Sequence, residues 1–130
     1  MKRAVLLLLS FLLIFSCEKR DCTRKGMVQI DEAIIPGTVL FNDVAHIEVR
    51  ASAPDGCWSN LYVVLEETEP FSYSLKAYGT FTCCYDVCAC PAIMIRHDTI
   101  IDFTPAQKGT YYFHVTHFWD DVDIDTMIVR

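Results

Sequence analysis

Four cysteines fall within eight residues of the stretch FTCCYDVCACPA, and three more stand at Cys17, Cys22 and Cys57. Thiols this dense have three chemistries open to them: a thiolate metal cage, a redox dithiol, or disulfide cross-links. Structural zinc prefers C-x(2–4)-C pairs in two separated halves. Here only Cys84-x3-Cys88 and Cys83-x4-Cys88 come near that spacing, and both use Cys88. His97, His114 and His117 could add nitrogen ligands, but His114 and His117 are three apart, which on a strand turns them to opposite faces. A redox centre would want C-x-x-C beside a helix start that depresses a thiol pKa, and neither is present. The choice between thiols and cross-links therefore rests on the compartment.

The first residues bear on that choice. Lys2 and Arg3 form a short cationic region, and Ala4 to Phe15 an apolar run of 12 residues. A spanning helix needs roughly 20 such residues, so this run has the length of a signal-peptide core. It ends Ile14-Phe15-Ser16-Cys17 and then turns charged at Glu18-Lys19-Arg20-Asp21. That ending resembles a bacterial lipoprotein signal, in which the lipobox closes on a cysteine that is acylated and becomes the first mature residue. The resemblance implies a signal peptide at 1–16, lipidation of Cys17, a tether over 17–26 and a domain over 27–130. It also implies an outer-membrane lipoprotein facing the periplasm or the medium, because Glu18 does not suggest inner-membrane retention. Each buried methylene contributes about 0.8 kcal/mol, so the two or three chains of such a cysteine hold almost permanently.

With Cys17 taken by lipid, Cys22, Cys57, Cys83, Cys84, Cys88 and Cys90 remain. An even set in an exported domain reads as disulfides. Neighbouring Cys83 and Cys84 point to opposite faces of a strand and seek different partners. Cys88 and Cys90 lie about 6.6 Å apart if extended, at the long end of disulfide reach. One or two local bridges between the Cys83/Cys84 and Cys88/Cys90 pairs are expected, with Cys57 as a long-range partner and Cys22 as the least ordered bridge.

Few other residues invite chemistry. WDDVDID puts Asp121, Asp123 and Asp125 on one strand face, a set of oxygens that calcium could use. They lack the glycine and terminal glutamate of an EF-hand, and a solvated face or a charged edge that blocks strand addition is the plainer reading. No G-x-S-x-G, Walker loop, G-x-G-x-x-G or H-E-x-x-H occurs, so no enzyme is expected and no cofactor. Trp58, Tyr62, Tyr78 and Trp119 are candidates for an aromatic platform, against the simpler expectation that they rim the core.

The elements that must carry these residues read as strands. Period-two alternation marks VAHIEVRA, LYVVLEE, FSYSLKAY, TYYFHVTHF and DIDTMIVR, while AIMI and TIIDF flank Arg96-His97-Asp98 as a hairpin tip. IPG, APDG, EETEP and TPAQKG supply turn chemistry. Seven or eight short strands predict an all-β, antiparallel sandwich. DFTPAQKGTYYFHV resembles the approach to strand F of immunoglobulin-like domains, with Gly109-Thr110-Tyr111 as the corner. The resemblance implies that the Tyr111 hydroxyl bonds back to the upstream turn. Phe113 stands where antibody-type domains place a cysteine, so their inter-sheet bridge is not expected.

Without residues 1–16 the chain has nine basic residues against 17 acidic ones, a net charge of −8. That balance repels nucleic acid and anionic headgroups. The expected function is a membrane-anchored, non-enzymatic envelope or surface module that binds a protein or glycan. Two alternatives stand beside it: an immunoglobulin-like inhibitor of secreted proteases, and a metal or redox protein built on Cys83–Cys90.

Overall fold

The computed structural model describes residues 22–83 and 88–130, and the expectations for the signal peptide, Cys17 and Cys84 lie outside them. Eight strands follow in order: β1 (Thr23–Ile34), β2 (Thr38–Val39), β3 (Ala45–Ala53), β4 (Trp58–Glu69), β5 (Ser72–Thr82), β6 (Ile95–Phe103), β7 (Gly109–Phe118) and β8 (Asp121–Val129). The fold is all-β, a mixed sheet curled into a half-barrel around one core.

The hydrogen-bonded order is β2-β8-β7-β5-β1-β3-β6, with β4 on the remaining edge of β5. β1 is the joint. Its first half pairs with β5 (Thr23↔Thr82 to Val28↔Ala77) and its second half with β3 (Gln29↔Ser52 to Ile34↔Glu48), with a bulge between Ile30 and Glu32. A bulge bends and twists a strand, which lets one chain serve both wings of the sheet. The major wing holds β4, β5, β7, β8 and β2; the minor wing holds β3 and β6.

A purely antiparallel arrangement is not what forms. β2 runs parallel to β8 (Thr38↔Ile128), and β5 runs parallel to β7 (Ser72↔Tyr112 to Leu75↔Val115). The cause lies in β5, whose one edge serves two partners. β1 takes its C-terminal half, and the vacant N-terminal half accepts β7, which arrives from the same end of the molecule.

Two further expectations are corrected. β1 starts at Thr23, inside the stretch 17–26 read as tether. The polar run Thr-Arg-Lys-Gly hides a strand that is fixed by pairing, with the Arg24 guanidinium 4.8 Å above the Phe81 ring. Arg96-His97-Asp98 is no hairpin tip but part of β6, paired with Ser52, Ala51 and Arg50. Arg96 and Asp98 point to solvent and His97 lies half-buried between them, so the alternation continues through the charges.

The core follows from parity. β3 alternates from Ala45 to Ala51 and its last three residues are all buried, with Ala45, Ile47, Val49 and Ala51 inward. They meet Ile30, Leu75, Val115 and Met127, all buried. Phe113 is fully buried at the position without a cysteine, edge-on to Phe103 of the minor wing at 5.5 Å and stacked on Tyr73 at 5.7 Å. An aromatic cluster thus joins the wings where a bridge is lacking. Burial raises the Tyr73 hydroxyl pKa above its ordinary value, and Glu67 and Tyr111 add to the rise.

Candidate functional site

The cysteine end is built from turns. Asp55 Oδ1 accepts the Cys57 N–H at 3.0 Å, closing the turn after β3, and Gly56 N–H donates to the Pro91 carbonyl at 2.8 Å. That contact brings the loop after Cys88 against the turn, where Cys57 and Cys90 are bonded across a Cα separation of 5.2 Å. Cys83 and Cys88 form the local bridge, with Cα atoms 5.8 Å apart. Cys22 is disulfide-bonded too, and its carbonyl accepts the Cys83 N–H at 3.2 Å. The one grouping of metal-type ligands among the described residues, Asp55 with Cys57 and Cys90, contains the two sulfurs that bond each other. In that state they are not thiolates and offer no cage.

The corner residues come together. The Tyr111 hydroxyl donates to the Gln107 carbonyl at 2.9 Å and accepts the Gln107 N–H at 3.2 Å. Gly109 takes φ 148°, and a Cβ there would stand 3.0 Å from the Phe71 ring, so only glycine fits. Phe71 itself adopts φ 67° after Pro70, an unusual backbone for a bulky side chain. Its ring packs edge-on against Tyr111 at 5.1 Å. These residues hold the far end of the fold in shape and do not line the depression between β1, β3 and β6.

The four aromatic candidates do not form one platform. Trp58 turns inward over the cross-strand pair Gly26↔Gly79, whose missing side chains make room for its indole, and meets Phe81 at 5.3 Å. Tyr62 and Tyr78 stack at 5.8 Å on the outer face of the major wing. Trp119 sits at the β7–β8 turn with φ 49° and is 76% exposed.

The β7–β8 hairpin is the surface that stands out. Asp121, Asp123 and Asp125 share the parity of Met127 and Val129, which are buried. The aspartates therefore continue the inward face past the end of the core, where it meets water. Val122, Ile124 and Ile128 take the opposite parity and are all exposed, Ile124 by 59%, beside exposed Tyr112 on β7. With Phe118 and Trp119 at the turn, one hairpin exposes six large apolar side chains. Scattered apolar exposure is ordinary, but a contiguous patch marks a contact surface.

Charge on this hairpin is scarcely compensated. Asp123 Oδ2 lies 3.2 Å from His117 Nε2, and the other ring nitrogen donates to the Ile30 carbonyl at 2.9 Å. His117 thus clasps the hairpin to β1. Among the described residues Asp120, Asp121 and Asp125 have no ion-pair partner within 4.0 Å. His114 points elsewhere, to Ser72 Oγ at 3.1 Å.

The sequence pattern sets the three aspartates on one face and Val122 and Ile124 on the other, but does not mark the second face as the exposed one. The signal was available. Val122, Ile124 and Ile128 compete with Met127 and Val129 for the core, and only one parity can win. The chain matches no known family, no curated protein and no solved structure.

Proposed function

We propose that this chain is an exported, lipid-anchored envelope protein carrying one immunoglobulin-like β-sandwich, which works as a non-enzymatic module docking a partner protein. The observation that carries the reading is the β7–β8 hairpin, an apolar and acidic surface that no part of the described fold covers. Disulfides suit an oxidising compartment, in keeping with Cys17 as the lipidated residue of an outer-membrane protein. The Tyr111 hydrogen bonds to Gln107 suit an immunoglobulin-like corner. A protein partner is favoured over a glycan because Trp58, Tyr62, Tyr78 and Trp119 do not converge.

The test has two arms. An alkyne fatty acid fed to the native host should label the wild-type protein and not Cys17→Ala; equal labelling of both refutes the anchor. Affinity capture should recover a partner with wild type and lose it with the double variant V122T/I124T. Capture indifferent to that change refutes the hairpin as the docking surface.

A second reading, inhibition of a secreted protease, is favoured by the exposed Phe118-Trp119 turn. Trp119→Ala should abolish inhibition of the host's secreted proteases, and lack of inhibition by wild type removes the reading.

A further inference from the structure

We infer that the free edge of β8 accepts an extended segment of a partner protein as an added strand, and that this segment alternates cationic and aliphatic side chains. The inference rests on the docking surface proposed above and specifies how it is used.

The edge is open over a defined length. β8 pairs with β7 along one side, while on the other β2 meets only Ile128 and Val129. Upstream of β2 the chain belongs to β1, which pairs with β3, so no described strand continues along Asp121–Met127. The direction of the open groups follows from the contacts that β2 does make. Ile128 N–H donates to the Gly37 carbonyl at 3.0 Å and Arg130 N–H to the Val39 carbonyl at 3.1 Å. Backbone groups alternate between the two edges of a strand, so the even-numbered residues point outward. Val122, Ile124 and Thr126 therefore present their N–H and C=O groups along the line that β2 begins, and β2 shows that this edge takes a strand at its C-terminal end.

The side chains choose the occupant. An added strand places its residues beside those of β8 on both faces. On one face they would lie next to Val122 and Ile124, which calls for aliphatic residues. On the other they would lie next to Asp121, Asp123 and Asp125, which calls for Lys or Arg. The same aspartates oppose a second copy of this chain, because pairing β8 with β8 sets carboxylate against carboxylate. Acidic residues on an edge deter unwanted strands; an alternating cationic strand is the one class for which they become attractive.

The probe is a synthetic seven-residue peptide alternating Lys and Val, titrated into the mature protein and followed by residue-resolved amide exchange. Binding should slow exchange at Val122, Ile124 and Thr126 at least tenfold, with Asp121, Asp123 and Asp125 changing little because their amides already face β7. Three controls fix the mode. A Glu/Val peptide should bind at least tenfold more weakly. A Lys/Val peptide N-methylated at alternate residues on its pairing edge should lose binding. The exposed triple variant D121N/D123N/D125N should bind the Lys/Val peptide at least tenfold more weakly, and its unchanged melting curve verifies folding. Protection elsewhere on the surface, or equal affinity for the N-methylated peptide, overturns strand addition. Should partner capture depend on Val122 and Ile124 while the Lys/Val peptide fails to bind, strand addition is wrong and the docking surface stands.

Discussion

The outer face of the minor wing and the β7–β8 hairpin both present charged and apolar side chains to water, but they dispose of the charge differently. On the minor wing Arg50 bridges Glu32 at 3.3 Å and Asp98 at 3.1 Å, and His46 lies 2.7 Å from Asp102. Ser52 and Gln29 both donate to Asp31. Ile34 and Ile100 flank this network in a shallow depression of about 580 Å³. On the hairpin the carboxylates stand in a row, and His117 answers only Asp123. On the first face most of the charge is answered within the described fold, though Glu48 has no ion-pair partner there and β6 is also an edge strand. On the second, three carboxylates have no ion-pair partner among the described residues, beside exposed apolar side chains and an edge that β2 covers only at its end. This difference in charge pairing is what the docking proposal rests on.

Both faces hang on one aromatic core, and the largest effect lies there. Phe113→Ala should cost about 3–5 kcal/mol in urea denaturation and loosen both surfaces together. Loss of one face alone would show that the wings are separate units. Replacing Cys57 and Cys90 by Ser releases a loop with a sequence separation of 33, and loop-closure entropy sets the loss at about 3–4 kcal/mol. The Cys83–Cys88 bridge, with a separation of 5, should contribute less, about 2 kcal/mol. Capture by the hairpin should survive either change, since both bridges lie away from β8.

Surface charge sharpens the contrast by sign. Arg50→Ala should destabilise by no more than about 0.5–1 kcal/mol, because its ion pairs are half-exposed and screened. D121N/D123N/D125N should leave stability level or raise it by a few tenths of a kcal/mol, since it relieves repulsion and breaks only one pair. A loss in the second variant as large as in the first would mean that the aspartates are compensated after all. The smallest effect concerns the cluster that joins the wings. Burial raises the Tyr73 pKa in the folded state, so the folded chain holds that proton more tightly than the unfolded one. The stabilisation is complete below the unfolded value of about 10 and is lost as pH climbs through the folded value. Tyr73→Phe should flatten the alkaline fall in stability.

Strands with one clean parity were legible in the sequence. His46, Glu48 and Arg50 alternate with small apolar residues, and β3 follows them. The start of β1 was not, because Thr23 to Gly26 are strand by virtue of β5 and of the indole that covers Gly26. Nor was the parallel pairing of β5 with β7, a contact between segments distant along the chain. Among the described cysteines, a local Cys83 bridge and a distant Cys57 partner were within reach. Their assignment to Cys88 and Cys90 needed the Gly56–Pro91 contact. The hairpin was half legible: the aspartates are conspicuous, whereas the exposure of Val122 and Ile124 depends on Met127 and Val129 winning the core.

The most direct test of the contrast is a pair of photo-crosslinking amino acids placed in the full-length protein in its native host, one at Ile124 and one at Ile100. A discrete adduct from position 124 and none from position 100 is the expected result. Equal labelling from both, or an adduct from position 100 alone, would contradict the assignment of the hairpin as the docking surface.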